Sequence, residues 1–116
     1  MRIIGNDPSI PRQAQIVASG TLPSGQPVVV NADGTVSVVG GGNLTSENFL
    51  GFAAHTYADT QSALVNSTCT VDRNQTGLTA GQTYYVQTDG TLGTTAGDPS
   101  VVAGTAISTT SIIVKG

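Results

Sequence analysis

One stretch of the sequence occurs twice, and this repeat limits the possible folds more than any other feature. The segment SGQPVVVNADGTVSVV at residues 24–39 lines up without a gap with AGQTYYVQTDGTLGTT at residues 80–95, at an offset of 56. Over residues 22–39, seven of eighteen positions are identical to their counterparts. The identical residues are mostly turn residues, and the apolar positions at 28–30 and 36 stay apolar or aromatic in the second copy. The sequence therefore predicts two related units within one chain.

Each copy of the repeat has the pattern of a β-hairpin. Asp33-Gly34 and Asp89-Gly90 each separate two strand-like runs, and Asp-Gly favours a tight hairpin turn because glycine tolerates a positive φ. Valine and threonine, which suit pleated strands, are abundant, and only 9% of residues are charged. A unit of about four short strands cannot bury its apolar face alone, so we expect the copies to share one core. The predicted fold is all-β, a small barrel or sandwich built from an internal duplication of a hairpin unit.

The chain is predicted to begin with an extended arm, because Pro8 and Pro11 forbid a helix there. The remainder is predicted to form a single β domain with two related halves. The predicted divisions are an arm at 1–13 and a domain at 14–116, with halves at about 14–71 and 72–116.

Three further strands are predicted from apolar patterning. One covers AQIVASG, and another covers the buried run NFLGFAA. The third, SALVNSTCTV, alternates as a half-buried strand should. Their predicted bounds are Ala14–Gly20, Asn48–Ala54 and Ser62–Val71.

Charge and hydropathy argue against several classes of partner. The formal net charge is −3 with four basic residues, so we expect no nucleic-acid partner. No apolar run approaches the ~20 residues that cross a bilayer, so we expect no membrane partner. The N-terminus lacks the apolar region of a secretory signal. A single cysteine cannot form an internal disulfide.

The residues able to carry catalysis are few. His55 could act as a base with Asp59 nearby, but a surface or turn histidine is the favoured interpretation. Cys69 lies within a predicted strand without a basic cluster to lower its pKa, so a buried, apolar-like cysteine is favoured. The sequence therefore predicts no catalytic residues, and a protein that is not an enzyme.

The carboxylates and tyrosines have structural interpretations. Asp33 and Asp89 could form a symmetric metal-binding pair, but aspartate at a turn commonly accepts bonds from nearby backbone N–H groups. No zinc or calcium spacing occurs, so no metal or other cofactor is expected. Three other aspartates, Asp59, Asp72 and Asp98, lie in turn-like sequence. Tyr84 and Tyr85 should face opposite sides of one strand, with one of them in the core.

A resemblance extends over most of residues 16–116. The segment TGLTAGQTYYVQTDGTLGTTAGDPSVVAGTAISTTSIIVKG at residues 76–116 resembles segments of small β-rich structural proteins of tailed bacteriophages, notably those of cyanobacterial phages. ASGTLPSGQPVVVNADGTVSVV and NFLGFA are similar to small proteins that decorate or cement phage heads. The resemblance implies a virion structural protein without catalytic residues.

The function expected from this resemblance is a capsid decoration or cement protein. It would bind the assembled major capsid protein on the virion surface and stabilise the head. We expect a homo-oligomer, with a trimer favoured, assembled in the host cytoplasm. The arm is predicted to contact the capsid or a neighbouring subunit, and deletion of residues 1–13 should leave a folded protein that no longer binds capsids. The candidate contact residues are Arg2, Ile3, Ile4, Ile10 and Arg12.

Two alternatives remain open from the sequence. A tail or neck fibre or spike component, adhesive in function, would share the same kind of β module. A carbohydrate-binding module would require exposed aromatic side chains on one face, for which Tyr57 and Tyr84 or Tyr85 are the candidates.

Overall fold

The computed structural model describes residues 13–115. Ten short strands form two antiparallel five-stranded sheets. In spatial order, the first sheet consists of β1 (Gln13–Val17), β5 (Ser62–Asn66), β4 (Phe49–Ala53), β2 (Pro27–Val30) and β3 (Val36–Val38). The second consists of β6 (Val71–Asp72), β10 (Ile112–Val114), β9 (Val102–Ala106), β7 (Thr83–Val86) and β8 (Leu92–Gly93). We refer to strands β1–β5 with their loops as the first half, and to β6–β10 with their loops as the second half.

The two sheets have the same topology. The spatial order β1-β5-β4-β2-β3 becomes β6-β10-β9-β7-β8 when each strand is replaced by its counterpart. The irregularities are repeated as well, since the register shifts between Val28 and Val29 and again between Tyr84 and Tyr85. The predicted all-β fold built from an internal duplication is therefore confirmed.

The two hairpin turns have the same hydrogen bonds. In the first, Asn31 N–H donates to the Thr35 carbonyl at 2.8 Å and Gly34 N–H donates to the Asn31 carbonyl at 2.9 Å. The second repeats this pattern with Gln87, Thr91 and Gly90, at 2.8 and 3.0 Å. Gly34 and Gly90 have φ of +86° and +87°, a conformation that side chains with a Cβ disfavour. This requirement explains why the Asp-Gly pair recurs.

The first sheet closes on itself as a small barrel. An isolated parallel bridge joins Ala18, just after β1, to Val36 at the start of β3, and Ser19 N–H donates to the Val36 carbonyl at 2.7 Å. The two edges of the sheet are thereby connected. Its interior holds a compact aliphatic core of Ala18, Leu22, Val28, Val36, Ala53, Ala63 and Val65.

A second core joins the two halves. Successive residues of a strand face opposite sides, so Val28 lies inside the first barrel while Val29 and Phe52 belong to the other core. Phe52 is fully buried, which contributes up to about 3 kcal/mol of hydrophobic stabilisation. From the second half, this core contains Leu78, Tyr84, Val86, Val101, Ala103, Ala106, Ile112 and Val114.

The structure differs from two predicted strands. β1 is Gln13–Val17 rather than Ala14–Gly20. The predicted strand Ser62–Val71 is wrong as a continuous element, because β5 ends at Asn66 and a turn follows in which Thr70 N–H donates to the Ser67 carbonyl at 3.0 Å. The turn is needed because the chain passes here from the first sheet to the second.

Candidate functional site

A buried carboxylate lies where the two halves meet. Asp72 is fully buried and lies in β6. Its Oδ1 accepts a bond from Asn66 Nδ2 at 3.0 Å. Its Oδ2 accepts bonds from Gln75 Nε2 at 2.8 Å and from the Asn74 N–H at 3.3 Å. The interpretation of Asp72 as a turn residue was wrong, because the chain enters a new sheet at this position.

The residues around Asp72 bind the second half to the first. Asn66 is the last residue of β5, so its bond to Asp72 crosses from one sheet to the other. Gln75 Nε2 also donates to the Gly25 carbonyl at 2.7 Å, and Asn74 Nδ2 donates to the Ala54 carbonyl at 3.1 Å. Each side-chain amide thus donates to an oxygen atom at the junction. Together these hydrogen bonds fix the arrangement of the two halves.

A cleft opens beside this network. It has a volume of about 330 Å³. Its polar lining includes Gln26, Asn74, Gln75 and Thr91, and Leu78 and Tyr84 also line it. The Tyr84 side chain is buried, and its hydroxyl oxygen accepts a bond from the Thr79 N–H at 2.9 Å.

The cleft lies at the seam of the second half that is equivalent to the closed seam of the first half. At the offset of 56 residues, Ala18 and Val36 correspond to Asn74 and Leu92, two residues that line the cleft. Ala18 and Val36 are joined by the bridge that closes the first barrel. The repeat therefore diverged at this seam, where Asn74 bonds to the first half instead.

A second depression, which we call the apolar groove, lies on another part of the surface. Its volume is about 440 Å³, and it is lined by the apolar residues Phe49, Val101 and Val102 together with Ser46, Glu47, Ser100 and Lys115. Val102 is 37% exposed, whereas most large aliphatic side chains among residues 13–115 are buried or half-buried. Glu47 and Lys115 are both exposed, so the groove carries one charge of each sign.

The two turn aspartates act within their own turns. Asp33 Oδ1 accepts bonds from the Thr35 hydroxyl at 2.6 Å and the Thr35 N–H at 3.1 Å. Asp89 Oδ1 makes the same pair with Thr91, at 2.7 and 3.0 Å. In each case these bonds lower the carboxyl pKa below its ordinary value of 3.8, and the bond from the threonine hydroxyl has the largest effect. The predicted turn role is confirmed for both residues.

His55 and Cys69 are both exposed. The His55 ring makes an edge contact with Tyr57 at 6.2 Å between centroids, and Asp59 Oδ1 accepts a bond from the Gly20 N–H at 2.8 Å. The prediction that Cys69 is buried was wrong, because it lies exposed in the turn between the sheets with a φ of +72°. Sequence alternation placed it in a strand that ends three residues earlier.

The remaining tyrosines divide as the strand pattern predicts. Tyr84 faces the core and is 7% exposed, whereas Tyr85 is half-buried. Tyr57 is also half-buried and pairs with Leu22 through an antiparallel bridge. The three rings therefore do not form one broadly exposed aromatic face.

The predicted arm contacts lie outside the described residues. These are Arg2, Ile3, Ile4, Ile10 and Arg12. Within residues 13–115, no group of three or more His, Cys, Asp or Glu side chains is placed to hold a metal ion. The same residues include no helix long and apolar enough to cross a membrane. No protein-family model matches the sequence, and no curated protein matches it.

Proposed function

We propose that this protein is a structural component of a tailed-phage virion, specifically a decoration or cement protein of the capsid. It binds the assembled major capsid protein from outside and stabilises the head. The role is structural rather than catalytic, and the protein acts as a homo-oligomer, with a trimer favoured.

The observation that carries the proposal is that the residues responsible for the phage resemblance have structural roles within their own hairpin turns. Gly34 and Gly90 shape the two hairpin turns, while Asp33 and Asp89 bond to their own turns. In both copies of the motif, therefore, the aspartate forms its hydrogen bonds within its own turn. Such a framework suits a durable building block whose loops need no bound group.

The surface chemistry also favours contacts with other proteins. The described residues contain six acidic and two basic side chains, and one of the acids, Asp72, is buried. Much of the remaining surface is hydroxyl, amide and small apolar groups. Protein interfaces are depleted in charge at their centres, which fits such a surface. Weak contacts of this kind gain strength when they are repeated around a shell.

The test is binding to assembled, expanded capsid shells of the phage that encodes the protein, imaged by cryo-electron microscopy. Regular density over junctions between capsomers, at a fixed stoichiometry, is the expected result. Protein found only at a tail or neck vertex would favour the fibre or spike alternative. Absence from both positions would contradict a virion role.

The contribution of the arm is tested with a deletion that spares the sheet. Gln13 pairs with Asn66 in β1, so residues 1–12 are the segment to remove. The matched control replaces the same residues with a glycine-serine linker of equal length. We expect both variants to melt as the wild type does and both to lose capsid binding. Saturation of shells by either variant would contradict a role for Arg2, Ile3, Ile4, Ile10 and Arg12.

A further inference from the structure

We infer that the open seam of the second half binds an extended segment of a partner protein. The segment pairs with β8 as residues just after β1 pair with β3 in the first half, and it places a small residue, Gly or Ala, in the centre of the cleft. Under the proposed function, on which the choice of partner rests, this segment belongs to the major capsid protein.

The backbone of Leu92 presents two polar groups to the cleft. In the second hairpin, Gln87 N–H donates to the Thr91 carbonyl at 2.8 Å, so these two residues form a hydrogen-bonded pair. Hydrogen-bonded and non-hydrogen-bonded pairs alternate along an antiparallel ladder, so the next pair, Val86 and Leu92, is of the second kind. The N–H and C=O of Leu92 therefore point away from β7. Because β8 is an edge strand and Leu92 lines the cleft, both groups face the seam.

The first half shows what occupies the equivalent position there. Val36, the counterpart of Leu92, is bridged to Ala18, and its carbonyl accepts the Ser19 N–H at 2.7 Å. The bridge is parallel, so this segment runs in the same direction as β3. A segment that enters the cleft parallel to β8 meets the same backbone groups at Leu92. Addition of a strand to a sheet edge is a common mode of peptide recognition, in which main-chain hydrogen bonds supply the affinity.

The residues expected to close this seam within the chain are bound elsewhere. Asn74 and Gln75 are the counterparts of the two residues that close the first half. Gln75 N–H donates to the Thr110 carbonyl at 3.0 Å rather than to Leu92, and both side chains donate to carbonyl groups of the first half. Closure by Asn74 and Gln75 would break these bonds. The seam therefore stays open to a segment from outside residues 13–115.

The side chains around the cleft select a small, uncharged residue. In the first half, Ala18 is 1% exposed within the core, whereas the preceding Val17 is 47% exposed. Only the central residue of a bound segment is thus enclosed. Tyr84 lines the cleft where the first half has Val28, and this larger side chain leaves space for Gly or Ala. None of the described residues that line the cleft is charged, so a charged central residue would lose its hydration without gaining a partner.

The cleft has room for a short segment. Its volume of about 330 Å³ is at the low end of the ~300–1,000 Å³ that is usual for ligand pockets, which suits a few residues. The exposed Gln26 side chain reaches the β8 side of the cleft, because a Cβ on Gly90 would lie 3.8 Å from Gln26 Oε1. Its amide group is therefore placed to bond to the backbone of the segment.

The probe is a synthetic peptide, AQIVASG, which has the sequence of residues 14–20 and is blocked at both ends. It is added at millimolar concentration to the isotope-labelled full-length protein, and amide signals are followed by NMR. Binding should shift the Leu92 signal and slow the exchange of its N–H with solvent. Val36 should not respond, because its seam is already filled. An unchanged Leu92 signal would overturn the inference.

Two altered peptides test the geometry of pairing. A methyl group on the backbone nitrogen of the serine removes the N–H that pairs with the Leu92 carbonyl, and the affinity should fall about tenfold. Replacement of the alanine that precedes the serine by phenylalanine should abolish binding, because Tyr84 leaves no space for a second ring. Binding of either altered peptide with the affinity of the original would contradict the proposed pairing.

A matched pair of variants tests the location. Gln26 and Gln82 are counterparts at the repeat offset and both are exposed, but only Gln26 lines the cleft. Gln26→Trp should fill the cleft and abolish the response of Leu92 to the peptide, whereas Gln82→Trp should respond as the wild type does. Thermal unfolding checks that both variants fold. An equal response in the two variants would place the peptide elsewhere and overturn the inference.

Deletion of residues 1–12 distinguishes a partner from the chain's own N-terminal segment. We expect the Leu92 signal and the affinity for the peptide to be the same with and without these residues. If the deletion alone shifts the Leu92 signal and strengthens peptide binding, the chain covers its own seam, and the inference is overturned.

Shell binding separates this inference from the proposed function. Gln26→Trp should lose binding to expanded capsid shells, and Gln82→Trp should keep it. Shells decorated equally by both variants would mean that the capsid protein does not occupy the seam, which overturns the inference but leaves the proposed function standing. A wild-type protein that binds the peptide at Leu92 and no shells would contradict the proposed function, while the affinity of the seam for an extended segment would stand.

Discussion

The two halves of the molecule share a strand order, yet only the first closes on itself. In the first half, the bridge between Ala18 and Val36 seals an interior whose fully buried residues are all aliphatic. In the second half, the corresponding seam is a cleft, and the aromatic Tyr84 occupies the position that Val28 has in the first. The core of the second half also includes residues of the first. Duplication thus supplied the framework, and later divergence supplied the contacts that join the copies.

The largest expected effect comes from the glycines at which strands approach most closely. A Cβ on Gly51 would collide with the Asn66 carbonyl oxygen, and one on Gly104 with the Ile113 carbonyl oxygen. Because backbone atoms cannot move aside, Gly51→Ala and Gly104→Ala should each lower the free energy of unfolding by at least about 3 kcal/mol. Gly40→Ala is the control, because Gly40 has the same φ as Gly51, +158°, while a Cβ there meets nothing within 4 Å. Denaturant unfolding measures all three, and a large effect in one half only would break the equivalence of the two sheets.

The second prediction exchanges the residues that most distinguish the two interiors. Tyr84→Val introduces the residue found at position 28, and we expect a loss of about 3 kcal/mol because a cavity remains. Tyr84→Phe should cost about 1 kcal/mol, since it removes only the hydroxyl that accepts the Thr79 N–H. Thermal and urea unfolding separate the two variants. Equal losses would mean that Tyr84 stabilises the fold through the hydrogen bond of its hydroxyl and not through the packing of its ring.

The third prediction concerns the junction. Asp72→Asn keeps the size of the side chain but turns an amide group toward donors, so at least one of Asn66, Asn74 and Gln75 loses its acceptor. We expect a loss of about 2 kcal/mol in the free energy of unfolding. Asp98→Asn, at an exposed carboxylate, should stay within about 0.5 kcal/mol of the wild type. If the two variants are equally stable, the Asp72 network does not hold the halves together.

The smallest expected effect is a pH dependence that should be the same in both halves. The pKa values of Asp33 and Asp89 are lowered by bonds from Thr35 and Thr91, so each carboxylate stabilises the folded state when ionised. That contribution is fully present above the ordinary pKa of 3.8 that applies to the unfolded chain, and it is lost as the pH falls through the lowered pKa of the folded state. Asp33→Asn and Asp89→Asn should therefore lower the Tm equally at about pH 6, and the deficit should vanish in acid. Unequal deficits would show that the two turns are not equivalent.

The hairpins could be predicted because their signals are local. Asp33 and Gly34 specify a turn through bonds within five residues, and the same holds for Asp89 and Gly90. The alternation of Tyr84 and Tyr85 likewise follows from strand geometry alone. The copy of each signal 56 residues away predicted that the fold would be duplicated.

Asp72 and Cys69 could not be placed from the sequence for the opposite reason. Their environments depend on where the chain leaves the first sheet, which apolar alternation through Ser62–Val71 does not mark. The polar residues Asp72, Asn74 and Gln75 align with Ile16, Ala18 and Ser19 at the repeat offset. This loss of similarity was the available signal that the region had acquired a different role.

The sequence by itself determined the strand class, the two hairpin turns and the duplication, because propensity, turn chemistry and repetition act over a few residues. The tertiary structure alone decided that the first sheet closes while the second opens into a cleft, and that Asp72 is buried between them. It also brought Glu47, Phe49, Val102 and Lys115 to one groove. These features depend on contacts between segments that are distant in the sequence. No local sequence pattern indicates which of the two equivalent sheets will form those contacts.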